Sequence, residues 1–424
     1  MMRSRWFDGL WLLAFGAASS AWCLAAASQL GATFDEPLYL HAGLTSWRTG
    51  SNKLLMSAGT MPLPVDVQTL PIYVWERCRG EEFHAFKDIA TLLPVARAAN
   101  LAFWWFLLVY AMRLGRTWGG AWGGRLAVAL IACEPNFLGH AALATTDIAV
   151  AAALLALVYH FHHGQGMSWG RRVLLPGILY GTAILAKASG MVFGVQAMLA
   201  LGLWHLANRG DLTPPLGSTL RGKAVHLWHA TFSLRKDMTG IGLIGFIVVF
   251  AYTGSDWGTE WTFIDWAEKL PDGAVRSAMV PLSHNLAIFP NAGEALLQQV
   301  KHNLRGHGTF LLDQWHEKSY WAYFPIALSI KLPVPILALL IAVLMIRPRA
   351  LLSPLAAIVL LLLAYSLNCR VQIGIRFMFT LMALLNIAVG VAIARTWAEP
   401  RNGRHVPRWF TGVMLAALAG TSLW

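Results

Sequence analysis

Charge is scarce in this sequence: of 424 residues only 13% are Asp, Glu, Lys or Arg, while 57% are hydrophobic. With a mean hydropathy of +0.53, the chain cannot present the polar surface that a water-soluble protein of this length needs. Acidic residues are the rarer sign, 21 against 33 basic ones. Cysteine is rarer still. Cys23, Cys78, Cys133 and Cys369 show no metal-type spacing, and although Cys78 and Cys369 both fall on the expected outer side, no pattern pairs them. Internal repeats and low-complexity tracts are missing, and no Gly-rich phosphate loop occurs in any connection expected to face the cytosol.

What the chain has instead is apolar runs. Crossing a hydrocarbon layer of about 30 Å takes roughly 20 apolar residues, and eleven runs approach that size. They are Leu10–Leu30, Pro94–Met112, Gly119–Glu134, Ala141–His160, Val173–Lys187, Ser189–Leu206, Gly240–Gly254, Ala322–Ile346, Ala350–Leu367, Met378–Arg395 and Trp409–Trp424. The expected class is therefore an all-α polytopic membrane protein. Leu10–Leu30 reads as a retained span rather than a signal peptide, because it is long and no convincing cleavage site follows.

The net charge of +12 orients the chain instead of pointing to nucleic acid. With Arg3 and Arg5 inside, each cytoplasmic connection is basic: Arg113 and Arg116, Arg171 and Arg172, the segment 208–239, Arg347 and Arg349, and Arg401, Arg404 and Arg408. The two long outer loops are acidic by comparison. Residues 31–93 hold seven Asp/Glu against five Lys/Arg, and residues 255–319 hold eight against five. Any site larger than a few side chains has to be built there. In the first loop, Met61–Tyr73 is punctuated by proline and is followed by an amphipathic piece over 82–93, of the kind that lies on a membrane surface.

Ionisable residues within the expected spans are few: Arg97, Asp147, Lys187 and Lys331, with Arg376 at an outer edge. A charge at membrane depth is costly unless it is paired or lines a wet cavity. By the expected topology Asp147, Lys187, Lys331 and Arg376 fall toward the outer half, on the side of the adjacent carboxylates Asp35 and Glu36. Cations at that surface suit a lipid-linked phosphate, and a carboxylate beside them suits removal of a proton from a nucleophile. Each of these residues also has a structural reading. Thr33 and Glu36 in TFDEP have capping-box spacing, Asp147 of TTD can cap a helix, lysines can snorkel to the interface, and Arg97 can anchor a helix or pair with an acid. The histidines of HFHHG (His160, His162, His163) invite a metal reading, but they fall on the expected cytoplasmic side and read as a solvated helix end. His302 and His307 of the second outer loop are better placed.

In order along the chain, TFDEPLYLHAG, MPLPVDVQTLP, EPNFLGHAALATTDIAVAAALLAL, GILYGTAILAKASG, KHNLRGHGTFLLDQWHEKSYWAYFPIALSIKLPVPIL and CRVQIGIRFMF resemble the GT-C-fold glycosyltransferases that use polyprenyl-phosphate sugars. That group includes protein O-mannosyltransferases (glycosyltransferase family 39) and the aminoarabinose transferases of lipid A. The resemblance runs from about Gly31 to Ile393. It implies a bundle of about eleven transmembrane helices whose two outer loops carry short amphipathic helices. It also implies a single inverting transfer at the outer face of an inner membrane, from a polyprenyl-phosphate sugar to a hydroxyl on protein, lipid or glycan. By position in these motifs, Asp35 is similar to the family's general base, with Glu36 shaping the site. Tyr39 lies one helical turn beyond Asp35, Lys187 and Arg376 resemble cations that hold the donor phosphate, and Lys331 and His302 are further candidates for that task. Asp147 occupies a position that binds a divalent cation, Mg or Mn, in some members and orients substrate in others. Relatives often continue past the point matching Trp424 into further helices or a globular outer domain, which on this reading is absent or truncated here. The rival classes are a transporter or lipid flippase, which would show related halves and midplane charges, and an inactive relative that serves in assembly.

Overall fold

The computed structural model describes residues 2–215, 219–254, 258–287, 291–398 and 405–422. Arg401 and Arg404 of the basic tail lie outside the described residues, as do the last two positions of the final expected span. The fold is an all-α bundle, and a single two-stranded hairpin, Thr309–Leu311 paired with Gln314–His316, is its only described sheet.

Every expected apolar run is represented by helix. By length and composition, Trp6–Gln29, Ile89–Ala132, Ser189–Arg209 and Ile375–Ala398 can cross a membrane. The element Ile89–Ala132 is two helices, the second and third expected spans, joined at Gly120 (φ 64°, ψ −161°). This reversal requires glycine on both limbs, because a Cβ on Gly115 would sit 2.4 Å from the Gly123 carbonyl oxygen. Asp147–Gly164 packs against this hairpin and against Leu175–Ala186, and Phe379–Ala398 runs along the hairpin as the most extensive helix contact. Buried Leu107, Leu114, Ile131, Leu154 and Leu384 belong to the resulting core.

Three expectations need correction. The run Ala322–Ile346 is not one straight span: Tyr323–Lys331 and Val334–Ile346 meet at 102°. Pro333 explains the break, since it lacks an N–H and excludes the helical conformation from Leu332, which is extended (φ −64°, ψ 128°). In the first loop the proline-punctuated stretch is itself helical, Leu63–Arg79, while the piece over 82–93 forms no amphipathic helix of its own and from Ile89 belongs to the helix of the second span. Pro64 is harmless in the first turn of Leu63–Arg79, where no intrahelical donor is needed, and Gly80 in the left-handed conformation (φ 75°) closes that helix. Finally, the run expected over Ala141–His160 starts six residues later, as the single helix Asp147–Gly164, because a separate short helix, Pro135–Ala141, ends where the run was expected to begin.

The first loop thus forms three helices, Glu36–Thr49, Lys53–Ser57 and Leu63–Arg79, and the second forms Trp261–Glu268, Ala274–Asn285 and Ala292–Arg305. Lys53–Ser57 packs on Ala292–Arg305, so the two loops meet over one end of the bundle. Near the N-terminus of the first span, Asp8 is held by Arg125 at 2.8 Å and by Arg116. All four cysteines are free.

Candidate functional site: a charged cleft at the end of the bundle

The first span must hand the chain to the first loop helix, and two fully buried charges make that junction. Arg97 donates from Nε to Glu36 Oε1 (2.8 Å) and from Nη2 to Glu36 Oε2 (2.7 Å). Its remaining donors reach the carbonyls of Ala27, Leu30 and Gly31, the otherwise orphaned end of the first helix. Glu36 also accepts from Thr33 N, Thr33 Oγ1 and Ala144 N. With every oxygen engaged and no exposure, Glu36 faces inward. Burial acts to raise its carboxyl, and the Arg97 bonds with the Thr33 and Ala144 amides outweigh it, so the net shift is downward.

This arrangement frees Asp35. It occupies the cap position of Glu36–Thr49, yet its carboxylate makes no capping bond, so the Thr33–Glu36 spacing forms an inward brace and not a capping box. Asp35 Oδ2 instead accepts from Arg376 Nη1 at 2.9 Å, with both side chains about one quarter exposed. Arg376 stands on the short turn Ile375–Met378 that begins the helix Phe379–Ala398. Its Nε is buried without a partner.

Across the same cleft Asp147 starts its helix and Lys187 ends another. They form an ion pair, Nζ to Oδ1 2.5 Å, with Asp147 3% and Lys187 21% exposed. Lys187 also lies 4.4 Å from the centre of the Phe377 ring. The cleft encloses about 350 Å³, and Asp35, Tyr39, Asp147, Lys187, His302 and Arg376 all line it. Burial and the neighbouring Asp35 carboxylate push the Tyr39 phenol well above its usual range. Burial, then the nearby His307 and Arg305, lower His302.

Six of the eight residues singled out in the sequence therefore share one cavity. Glu36 lies beneath it. Lys331 is outside it, exposed at the end of Tyr323–Lys331, where its backbone carbonyl accepts from Asn136 Nδ2 at 2.9 Å. Lys187 takes up Oδ1 of Asp147, the residue expected to bind a divalent cation or orient substrate, and among the described residues no group of three or more His, Cys, Asp or Glu is gathered. The histidines of HFHHG separate, His160 to Tyr110 Oη (2.8 Å) and His162 to His205 (2.9 Å).

Sequence reasoning missed two features. Thr145, Thr146, Gln299 and Phe377 line the cleft but carry no charge that would draw attention to them. An apolar groove of about 230 Å³ shares Ala188, Gln299, Val371 and Phe377 with the cleft and continues along Met191, Val192, Leu296 and Tyr365. Its residues come from three distant segments, so no local pattern reports it.

The helices and the two folded loops define a class, an all-α polytopic membrane bundle. No family model matches the sequence. No curated protein matches it either. Among solved structures, ArnT from Cupriavidus metallidurans bound to undecaprenyl phosphate is similar at TM-score 0.58 and 15% identity, over 97% of this chain and 63% of that one. The Archaeoglobus fulgidus oligosaccharyltransferase in the apo form gives 0.51 and 12%, over 98% and 55%. The same organism's AglB in complex with an inhibitory peptide and a dolichol-phosphate gives 0.50 and 13%, over 99% and 55%. The likeness is one of fold, and this chain spans less than two thirds of each neighbour's length.

Proposed function

We propose that this protein transfers a sugar from a polyprenyl-phosphate donor to an acceptor hydroxyl at the outer face of an inner membrane, with its N-terminus in the cytoplasm. One observation carries the reading: a cleft with two cation–carboxylate pairs lies next to an apolar groove, and the two share four lining residues. A lipid phosphate needs this combination, cations for the headgroup and an apolar track for the chain. That two structures of the same fold hold undecaprenyl phosphate and a dolichol-phosphate supports it.

In the proposed reaction Asp35 takes the proton from the acceptor hydroxyl as its oxygen attacks the anomeric carbon. The bond from that carbon to the phosphate oxygen breaks, the configuration inverts, and polyprenyl phosphate leaves. Arg376 keeps unused guanidinium donors beyond its single bond to Asp35, and these with Lys187 take up the charge growing on the departing phosphate. Asp147 holds Lys187 in place. Tyr39 and His302 offer neutral polar contacts to the sugar. Glu36 positions Asp35 through the loop backbone, Lys331 has no part, and no step passes through a metal ion. The acceptor belongs to protein, lipid or glycan. Purified protein given a labelled polyprenyl-phosphate sugar and membrane extract as acceptor is expected to consume the donor, and Asp35→Asn is expected to stop it. Full turnover by that variant refutes the assignment.

A further inference from the structure

The helix Ala292–Arg305 serves two cavities. Gln299 and His302 line the charged cleft, while Asn291 and Glu294, before and within its first turn, line a second groove of about 630 Å³. At a rise of about 1.5 Å per residue, Glu294 and Gln299 stand about 8 Å apart along the axis. The short helix Lys53–Ser57 links the same two cavities: Ser57 borders the groove, the next residues Ala58 and Gly59 border the cleft, and Gln299 Nε2 donates to the Gly59 carbonyl at 2.7 Å.

The groove wall is polar and rich in hydrogen-bond acceptors. Thr45 and Thr49 spend their hydroxyl protons on His41 O and Thr45 O one turn back, and Ser57 spends its own on Leu54 O. Thr262 donates to Glu260 Oε1 at 3.2 Å. Each oxygen keeps lone pairs and has no proton left to give. Glu260 and Glu294 add further acceptors, and Lys53, the Ser51 and Thr259 hydroxyls and the Trp261 indole N–H supply donors. Glu294 is 8% exposed and, among the described residues, has neither a hydrogen-bond nor an ion-pair partner. Buried carboxylates are ordinarily partnered, so an unpartnered one in a cavity wall marks a place where a ligand donor belongs. Beside it Trp261 is 71% exposed and offers a flat apolar face.

A molecule that fits this wall both gives and accepts hydrogen bonds, has one apolar face and carries no negative charge. An anionic headgroup is repelled by the two carboxylates, and a peptide backbone has no broad C–H face to lay on Trp261. A saccharide has hydroxyls around its rim and a C–H face. We propose that this groove is an acceptor subsite for a neutral, hydroxyl-rich saccharide, stacked on Trp261 and bonded to Glu294 and Glu260, with its reactive end directed past Ser57 toward Asp35. The acceptor of the transfer is then a glycan. This rests on the glycosyl-transfer reading, so the test reads binding without turnover.

Full-length protein in zwitterionic nanodiscs is titrated with short oligosaccharides of mannose, glucose, galactose and N-acetylglucosamine, and separately with a neutral Ser/Thr peptide, using saturation-transfer NMR. Oligosaccharide ring protons are expected to receive saturation, and Trp261→Ala and Glu294→Ala are each expected to weaken binding about tenfold, the loss typical of one good polar or stacking contact. Trp261 is exposed, so its truncation leaves the fold intact and keeps the test valid if Glu294→Ala unfolds. Donor turnover is followed in a separate assay, which distinguishes failed chemistry from a failed acceptor site. No oligosaccharide binding, binding unchanged in Trp261→Ala, or binding of the peptide alone overturns the proposal.

Discussion

Glu36 and Arg97 form a two-pronged ion pair with no solvent exposure on either side chain, and through it the end of the first span, the first loop helix and the second span are locked together. Removing one partner leaves the other as an uncompensated buried charge. Glu36→Ala is therefore expected to lower stability by about 3 kcal/mol or more, read as a drop in unfolding temperature in detergent. The pH dependence has a defined sign. Because the folded carboxyl lies below its ordinary value of 4.5, its contribution is complete above that pH and is lost as pH falls below it. Wild-type protein that keeps its full stability well below that value would contradict the pairing.

Asp35 differs from its neighbour in having one charged partner and open access to the cleft. Its replacement by Asn preserves size and removes the basic function. Turnover is expected to fall by about 10²–10⁴-fold, the range for a positioned general base, while binding of polyprenyl phosphate changes little. Loss of lipid binding with normal residual turnover would reverse the roles assigned to Asp35 and Arg376.

The two cations should separate experimentally. Arg376→Ala removes a fork with free donors and is expected to weaken polyprenyl-phosphate binding by roughly tenfold to a hundredfold, as charge-assisted bonds of about 1.5–3 kcal/mol would. Lys187→Ala does the same and also strands Asp147, which is 3% exposed. Adding Asp147→Ala to it is expected to restore part of the lost stability and none of the lipid affinity. A thermal-unfolding and lipid-binding double-mutant cycle reads both effects, and additive stability changes would show that the pair is not coupled.

These contrasts mark how far the sequence alone could reach. The helical runs were legible because membrane-spanning helix demands an apolar composition that little else produces. Asp35, Asp147, Lys187 and Arg376 were legible because a charge in such surroundings is conspicuous, whereas Tyr39 and His302 were legible only by their places in the motifs. Which charge meets which was not legible: Asp35 and Arg376 are 341 positions apart, and only the folded bundle pairs them. The bend at Pro333 hid within an unbroken apolar run. Lys331 looked equivalent to Lys187 because sequence reports depth and not the direction in which a helix end points. Asp66 sat in a quoted motif without a role, since nothing local reveals that its surroundings are dry.

Asp66 gives the remaining prediction. It lies in the first turn of Leu63–Arg79, is 4% exposed, accepts from Tyr252 Oη at 2.9 Å, and has its Oδ1 buried without a partner. Burial, only partly offset by the Tyr252 bond, pushes its carboxyl up from 3.8 to about 6. The sign is opposite to that of Glu36. A carboxyl that holds its proton more tightly when folded favours the fold below its unfolded value, and that contribution disappears as pH rises through about 6. At neutral pH the charged form thus costs about 3 kcal/mol relative to an unshifted group. Asp66→Asn keeps an acceptor for Tyr252 and carries no charge, so it is expected to unfold at a higher temperature than wild type near neutral pH. The difference between the two proteins should shrink as the pH is lowered from about 6 toward 4, where wild-type Asp66 takes up its proton. A variant less stable than wild type at neutral pH would mean that the charge itself is needed there, bound to something that the Asp66 surroundings supply only in the membrane.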